Sequence, residues 1–450
     1  MSRNDRMTMM AELPVHRVLL KMSLPMMISF FIQAMYNIVD SMFVARISEN
    51  ALTAVSLAFP MQQIVTAIAV GTATGVSAVW ARHMGQGQKD SASRAIRTMT
   101  FMSLSFTVLF LILGLFVSGP LYRIQTDVPE IAEMGAVYLM INWCFSCGSI
   151  FGKYYERLLV SAGMASLSMT AMALGAVFNL IFDPLLIFGI GPLPRMGIAG
   201  AAWATVGGQI FAAVIAVLLN RKYNAAVRDD MLKPAFSSRE AVAIFRVGLP
   251  SIITMGLSSM TSFMINQILL VYSTTATAVY GIWMKLQNFC YMPSFGLNNG
   301  LVPVLSYNYG IGKKERVRQA MKLSVCTIAL LMCCLAVLFE IIPGTILTLF
   351  SAGDTMRTIG TACLRACVLS LPFGAVSMIL STSMQALDHA RYSFVINILR
   401  QCALLIGGFA LLSALTHSLQ LIWLAVPFTE ITVFLLSTVL YSRFRRNLGI

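Results

Sequence analysis

Four polar side chains recur at helical spacing within the first long apolar stretch of the sequence. They stand at positions i, i+3, i+4 and i+7, and they are Gln33, Tyr36, Asn37 and Asp40. A helix would place all of them on one face. An ionisable group in such a stretch costs roughly 2.5 to 3.5 kcal/mol on membrane insertion, so Asp40 is a candidate functional group.

A second acid stands in the fifth apolar stretch. Asn179 and Asp183 are four residues apart and share a helical face, and Pro184 follows at once. Proline removes an amide donor and crowds the carbonyl four residues back, so we expect a kink beside Asp183. In the sixth stretch, Thr205 and Gln209 are again four residues apart.

The two acids could form one ion-coupling site. If Asp40 and Asp183 meet in a bundle of low polarity, repulsion and lost hydration favour the protonated form of at least one carboxyl. The same oxygens, together with Asn179 and Thr205, could instead ligate Na⁺, and the sequence does not separate these alternatives. In a purely structural interpretation, each acid pairs with a base or caps a broken helix. No basic residue flanks either acid within its stretch, which weighs against that interpretation.

The composition predicts that membrane-spanning helices position these groups. Of 450 residues, 58% are hydrophobic and only 11% are charged, and the mean hydropathy is +0.78, which lies outside the range of soluble domains. A span needs about 20 apolar residues. We therefore expect an all-α membrane protein of twelve transmembrane helices, over 19–45, 51–81, 95–118, 130–160, 165–189, 197–220, 241–271, 276–306, 318–342, 360–386, 392–415 and 419–441.

The net charge of +14 indicates orientation and not a nucleic-acid partner. Most Lys and Arg residues fall in the even-numbered connections and near the two termini, which is the positive-inside pattern. We expect a multi-pass protein of the plasma (inner) membrane, in contact with membrane lipid, with both termini in the cytoplasm. We also expect a monomer.

The sequence repeats itself at an offset of 225 residues. Leu24 and Pro25 match Leu249 and Pro250, and the matched glycine pairs are Gly71 with Gly296, Gly75 with Gly300, Gly85 with Gly310, and Gly87 with Gly312. Six spans per half make the repeats parallel, so two six-helix lobes should be related by a pseudo-twofold axis along the membrane normal. We expect an N-lobe over 1–220, a cytoplasmic linker over 221–240 and a C-lobe over 241–450.

Only the first half carries the acidic pair, because Ile265 stands opposite Asp40 and Gly408 opposite Asp183. The other polar groups that we expect to line a substrate cavity are Gln62, Asn266, Lys285, Gln287, Gln385 and Glu430. Lys285 and Glu430 could instead form a structural ion pair.

Two further groups of charged residues in the apolar stretches have no predicted functional role. Arg400 has no evident partner within the eleventh stretch. Glu156, with Lys153 and Arg157, stands near the end of the fourth stretch, where snorkelling to the membrane surface is the simpler explanation.

Several segments resemble the multidrug and toxic compound extrusion (MATE) family, in particular its DinF-like branch. They are 36–40, 51–54, 81–87, 179–184, 197–205 and 292–310. The resemblance implies two six-helix lobes around a cavity, no enzymatic activity, no cofactor, and export of small cationic or amphipathic organic compounds in exchange for H⁺ or Na⁺.

The resemblance also implies roles for particular residues. The DinF-like ion site falls on Asp40, Asn179, Asp183 and Thr205, with Gln33 and Tyr36 nearby. The acids that the NorM-like branch uses in its seventh and tenth helices have no match here. Alternating access would then use bending at Pro184 or in the long first helix, which contains Pro25.

Three other functions are less favoured by the sequence. A lipid-linked precursor flippase of the same superfamily would be expected to have a larger cationic cavity, for which Lys285 alone is thin support. An intramembrane enzyme is disfavoured because the histidines have no metal-ligand spacing, and a channel because no ring of charges is evident.

Overall fold

The structure is a computed structural model, and it describes residues 12–126, 128–189, 194–348 and 354–448. Helices account for the fold within these ranges. In the first half they are α1 (Val15–Ala45), α2 (Glu49–Gly85), α3 (Lys89–Phe116), α4 (Ser118–Gln125), α5 (Pro129–Cys144), α6 (Cys147–Ser161), α7 (Ala165–Phe188) and α8 (Ile198–Tyr223). In the second half they are α9 (Ser238–Leu270), α10 (Thr274–Gly310), α11 (Lys314–Ile341), α12 (Pro343–Thr348), α13 (Asp354–Val368), α14 (Leu371–Ala386), α15 (Ala390–Ile398), the π-helical segment π1 (Leu399–Ile406), α16 (Gly407–Thr416), α17 (Leu419–Ile422) and α18 (Ala425–Leu448).

These helices form twelve membrane spans. Among the described residues, nine spans are long and apolar enough to cross a membrane, and the bent pairs α5/α6 and α13/α14 raise the number to eleven. The twelfth is α10, which has 37 residues but a lower apolar content because Lys285 and several amide side chains lie within it. The predicted twelve-helix membrane fold is confirmed.

The outer surface of the bundle is apolar. On α3, for example, Leu104, Val108, Leu111 and Leu115 are exposed at spacings of three or four residues. Such a stripe is favourable against lipid and unfavourable against water.

The duplication extends to the ends of the helices. Both ends of α2 and α10, and of α3 and α11, differ by 225 residues. Ser48 and Ser273 cap the starts of α2 and α10, and each side chain accepts a hydrogen bond of 3.0 Å from the amide three residues on. The two halves are therefore built alike, as the repeat predicts.

Four predicted spans differ in detail from the structure. The fourth and tenth spans are not straight, because each is bent by 43° between its two helices. The equal bend in both halves shows that it belongs to the repeated fold and not to a single proline. The eleventh span contains π1, and the twelfth begins with the short helix α17. The fifth span forms one helix that continues past Pro184 to Phe188, and the kink expected within it stays a prediction.

The repeated glycines allow the two halves to pack closely. α9 packs along α2, and α10 packs along α1. A Cβ atom at Gly71 would lie 2.9 Å from the carbonyl oxygen of Gly248, and one at Gly300 would lie 2.9 Å from the backbone of Met22. Larger residues at these positions would push the lobes apart.

An ion pair and a second polar contact join the lobes at the basic end of the bundle, which the charge pattern predicts to be cytoplasmic. Arg82 and Asp388 form an ion pair of 2.8 Å, and His83 lies 3.2 Å from Glu240. Beside them, a Cβ atom at Gly85 would lie 2.7 Å from the carbonyl oxygen of Tyr307. The lobes are therefore in contact at this end.

The segment between α8 and α9 is folded against the N-lobe. Asp230 accepts hydrogen bonds from Ser93 at 2.5 Å and from Arg97 at 2.7 Å, and Met231 is fully buried. Burial acts to raise the pKa of Asp230, but the hydrogen bonds from Ser93 and Arg97 and the charges of Arg97 and Lys233 outweigh it and hold the pKa below its ordinary value.

Candidate functional site

The structure brings the two predicted acids together. α1 packs on α7, and this packing places the carboxyl groups of Asp40 and Asp183 in direct contact. Asp183 is fully buried, and Oδ1 of Asp40 is buried without a hydrogen-bond partner among the described residues. Two carboxyl groups can hydrogen-bond to each other only when one of them carries a proton, so this geometry suits a shared proton.

Asn179 connects Asp183 to the neighbouring helix. When its amide is oriented to satisfy both neighbours, the nitrogen donates to Oδ2 of Asp183 at 3.0 Å and the oxygen accepts from the backbone amide of Thr205 at 3.1 Å. The i, i+4 spacing of Asn179 and Asp183 on α7 makes this bridge possible. The bridge fixes the position of the Asp183 carboxyl relative to α8.

A cavity of about 280 Å³ opens beside this pair within the N-lobe. The predicted site residues that line it are Gln33, Tyr36, Asn37, Asp40, Gln62, Asn179 and Thr205. Asp183 is not part of the lining; it contacts Asp40 and Asn179 from behind them. The predicted N-lobe residues therefore share one site, and their role in ion coupling remains a prediction.

Sequence reasoning missed several polar residues of this cavity. Tyr138 and Asn142 of α5 line it, and the side chain of Gln62 hydrogen-bonds to Tyr138. The i, i+4 spacing of Tyr138 and Asn142 within an apolar stretch was the available signal.

The snorkelling interpretation of the charges on α6 is wrong. Glu156 and Arg157 are buried, and Lys153 and Glu156 line the cavity as an ion pair of 3.2 Å. α6 packs along α8 inside the lobe, and this face of α6 therefore points inward and not toward the membrane surface. A charge within an apolar stretch was the signal that could have identified these residues.

In the C-lobe, Glu430 pairs with Arg400 and not with Lys285. Nε and Nη2 of Arg400 donate to the same Glu430 oxygen at 2.8 and 2.6 Å. Lys285 is exposed, and no ion pair joins it to Glu430 in the described part of the chain. The expected Lys285–Glu430 pair is therefore corrected to Arg400–Glu430, which also supplies the partner that Arg400 lacked.

The remaining predicted cavity residues of the C-lobe lie apart from the N-lobe cavity. Gln385 is buried and donates to the carbonyl oxygen of Val247 and, at 3.0 Å, to Ser251, so it ties α14 to α9. Asn266 and Gln287 are partly buried. Their contact with a substrate remains a prediction.

The two predicted hinge prolines lie inside assigned helices. Pro25 is within α1, where the hydroxyl of Ser29 donates to its carbonyl oxygen at 2.9 Å, and Pro184 is within α7. Bending at either proline remains a prediction.

Two parallel six-helix lobes with a polar cavity inside the membrane region define the class of a membrane transporter. The MatE family model matches residues 25–185 and 250–409, which is most of the chain and follows the internal repeat. The chain therefore belongs to the MatE (MATE) family. Members of this family are transporters and not enzymes. The DinF-like branch remains a prediction.

Curated relatives span nearly the whole chain. An FAD transporter of Shewanella oneidensis is 26% identical over 93% of this chain and 92% of its own length. The multidrug export protein MepA of Staphylococcus aureus is 25% identical over 94% of this chain and 92% of its own. A crystal structure of MATE in complex with MaL6 superposes with a TM-score of 0.91 at 22% identity and covers 98% of each chain, which supports the fold.

Proposed function

We propose that this protein exports small cationic or amphipathic organic compounds across the plasma (inner) membrane in exchange for an ion, by alternating access. The observation that carries the proposal is the contact between Asp40 and Asp183 beside a polar cavity. Relatives named as multidrug exporters support the substrate class.

The direct contact between the two carboxyl groups supports H⁺ as the coupling ion. A sodium ion would need the two carboxylates and the oxygens of Asn179 and Thr205 to point at one centre, whereas the amide oxygen of Asn179 accepts from the Thr205 amide. Sodium at these four residues is the alternative.

The proposed cycle uses charge exchange at one site. A cationic substrate binds from the cytoplasm while the acid pair shares one proton and carries a single negative charge, because opposite charges attract strongly in a cavity of low polarity. Proton entry from outside neutralises the pair and releases the substrate. Each pH unit of gradient supplies about 1.4 kcal/mol per proton, which sustains a tenfold substrate gradient.

Export of flavin nucleotides is a second candidate function, favoured by the FAD transporter among the relatives. A lipid-linked precursor flippase finds less support, because Asp40 lines the described cavity, the lining Lys153 is paired with Glu156, and Lys285 is not among the lining residues.

The test is efflux from proteoliposomes that hold a cationic dye, under an imposed proton or sodium gradient. We expect wild-type protein to build about a tenfold dye gradient per pH unit, and D40N and D183N to build none, because neither variant can cycle two carboxyl groups. D229N is the matched control, since Asp229 is 77% exposed in the linker. Ion-driven efflux by D40N at the wild-type rate would contradict the proposal.

A further inference from the structure

The Arg400–Glu430 pair occupies the place in the C-lobe that corresponds to the N-lobe cavity. Subtracting the 225-residue offset takes Arg400 to Gly175 and Glu430 to Thr205, and both of these line the N-lobe cavity. The same offset takes Tyr291 to Thr66, another lining residue. The C-lobe therefore has large polar and charged groups where the N-lobe has open space.

The local geometry leaves binding capacity in this cluster. Nε and Nη2 of Arg400 both donate to Oε1 of Glu430. The other carboxylate oxygen, Oε2, is buried without a hydrogen-bond partner among the described residues. A Cβ atom at Gly374 would meet the hydroxyl of Tyr291 and lie 2.9 Å from Oε2, so glycine is required for the cluster to fit. A guanidinium has five donors, and those not used on Glu430 or Tyr291 can bind a second group.

The more exposed member of the pair is the cation. The side chain of Arg400 is 18% exposed, whereas that of Glu430 is 4% exposed. The guanidinium is therefore the more accessible of the two charged groups. Guanidinium groups bind carboxylate and phosphate in a bidentate geometry.

The backbone at Arg400 departs from the repeated pattern. Arg400 lies in π1, whereas the corresponding stretch of α7 is assigned as regular α-helix. Single π-helical turns inside α-helices occur frequently at functional sites. Burying two charges in a membrane also costs free energy of desolvation, so stability alone does not explain why an ion pair is present here.

We propose that Arg400 is an anion-binding centre in the C-lobe, which binds a carboxylate or phosphate group of an organic substrate in exchange for Glu430. The anion replaces the Glu430 carboxylate as the partner of Arg400, and Glu430 takes up one proton from the aqueous side that the lobe faces, so the cluster stays neutral overall. This inference extends the proposed export function, because it gives the transporter a second substrate class, anionic or zwitterionic compounds.

The test compares two probes that share a ring system and differ by one phosphate, riboflavin and FMN. Binding of each probe to the purified full-length protein in lipid nanodiscs is followed by flavin fluorescence without any ion gradient. The measured quantity is the ratio of the two dissociation constants. E430Q mimics the protonated carboxyl and frees Arg400, so we expect its preference for FMN to exceed that of the wild type by about tenfold.

The double variant R400Q/E430Q removes both charges together, because R400Q alone would leave Glu430 buried without a partner and could unfold the protein. We expect it to bind FMN and riboflavin about equally. The matched control is R365Q/E340Q, which removes an Arg–Glu pair whose side chains are 58% and 47% exposed, and we expect it to keep the wild-type preference.

An FMN preference that persists in R400Q/E430Q would overturn the inference, and so would an E430Q variant that gains no preference or fails to bind FMN. Equilibrium binding does not depend on coupling at Asp40. Normal efflux by D40N would therefore refute the proposed export mechanism without affecting the anion-binding centre. The contrary FMN-binding results for R400Q/E430Q or E430Q would refute the anion-binding centre without affecting the export mechanism.

Discussion

At the scale of single residues, Asn179 holds the acid pair in place through both ends of its amide. Substitution by leucine, N179L, removes the donor to Asp183, and losing a hydrogen bond to a charged group costs about 1.5 to 3 kcal/mol. We expect proton-driven dye efflux to fall at least about tenfold. Initial efflux rates from proteoliposomes measure the effect.

T205V is the matched comparison, because Thr205 binds Asn179 through its backbone amide and valine keeps that donor. We expect T205V to retain most proton-driven efflux. If T205V were as damaging as N179L, the hydroxyl would be acting as a ligand, and sodium would become the better assignment.

The polar residues that share a face within each helix of the N-lobe site were predictable, whereas the contact of Asp40 with Asp183 across two helices was only a hypothesis. The spacing of Asn179 and Asp183 fixes their relation without knowledge of packing. Arg400 and Glu430 come from different helices, and which groups meet across helices depends on rotations that the sequence spacing does not give. The 225-residue offset takes both residues to positions that line the N-lobe cavity, but that cavity is known only from the structure.

At the scale of elements, the segment that joins the two halves is a folded part of the N-lobe. A carboxyl group whose pKa is lowered in the folded protein stabilises it above the unfolded pKa of about 3.9 and loses that contribution as the pH falls through the folded value. We expect D230N to lower the free energy of unfolding at pH 7 by about 1 kcal/mol, and therefore to lower the unfolding temperature. The difference in unfolding temperature between D230N and the wild type should shrink progressively below about pH 4.

Thermal unfolding of the detergent-solubilised protein, followed by tryptophan fluorescence, measures this difference. D229N is the control, because the neighbouring carboxyl is exposed and lies 3.6 Å from Arg228. A D230N penalty that stays constant down to pH 3 would show that Asp230 does not act through its charge.

Most helix ends were predicted to within four residues, but the bend of the fourth span was not predicted. The helix α7 continues past Pro184 from Ala165 to Phe188, and the kink expected there stays a prediction. The fourth span bends at 145–146 without a proline. Apolar periodicity reports which residues face lipid or protein, and it carries little information about where a helix changes direction.

At the scale of the whole molecule, the lobes meet at their basic ends through Gly85 and Gly310. A Cβ atom at Gly310 would lie 2.7 Å from the carbonyl oxygen of Arg82, so G85V and G310V should force the lobes apart at this end. We expect spin labels at positions 89 and 314, which start the corresponding helices α3 and α11, to move to longer distances in G85V. The labels are introduced after the exposed native cysteines are replaced.

G119V is the control, because a Cβ atom at Gly119 meets nothing within 4 Å. An unchanged distance distribution in G85V, measured by electron–electron double resonance, would show that this contact does not hold the basic ends together.

The glycine matches predicted the duplication but not what the glycines do. Glycine at positions 71, 75, 296 and 300 is compatible with helix bending, lipid contact or close packing, and only the structure shows that these residues lie between the two halves. The repeat could be detected because the same residues occur at matching positions in both halves. The surface through which the halves contact each other depends on how the helices pack, which the matches do not give.

The direct contact of Asp40 with Asp183 also bears on electrogenicity. A pair that shares one proton carries a single negative charge, and one further proton neutralises it. Exchange of one monovalent cation for that proton moves no net charge across the bilayer. Membrane voltage would then contribute nothing to such a cycle, and the pH difference alone would power it.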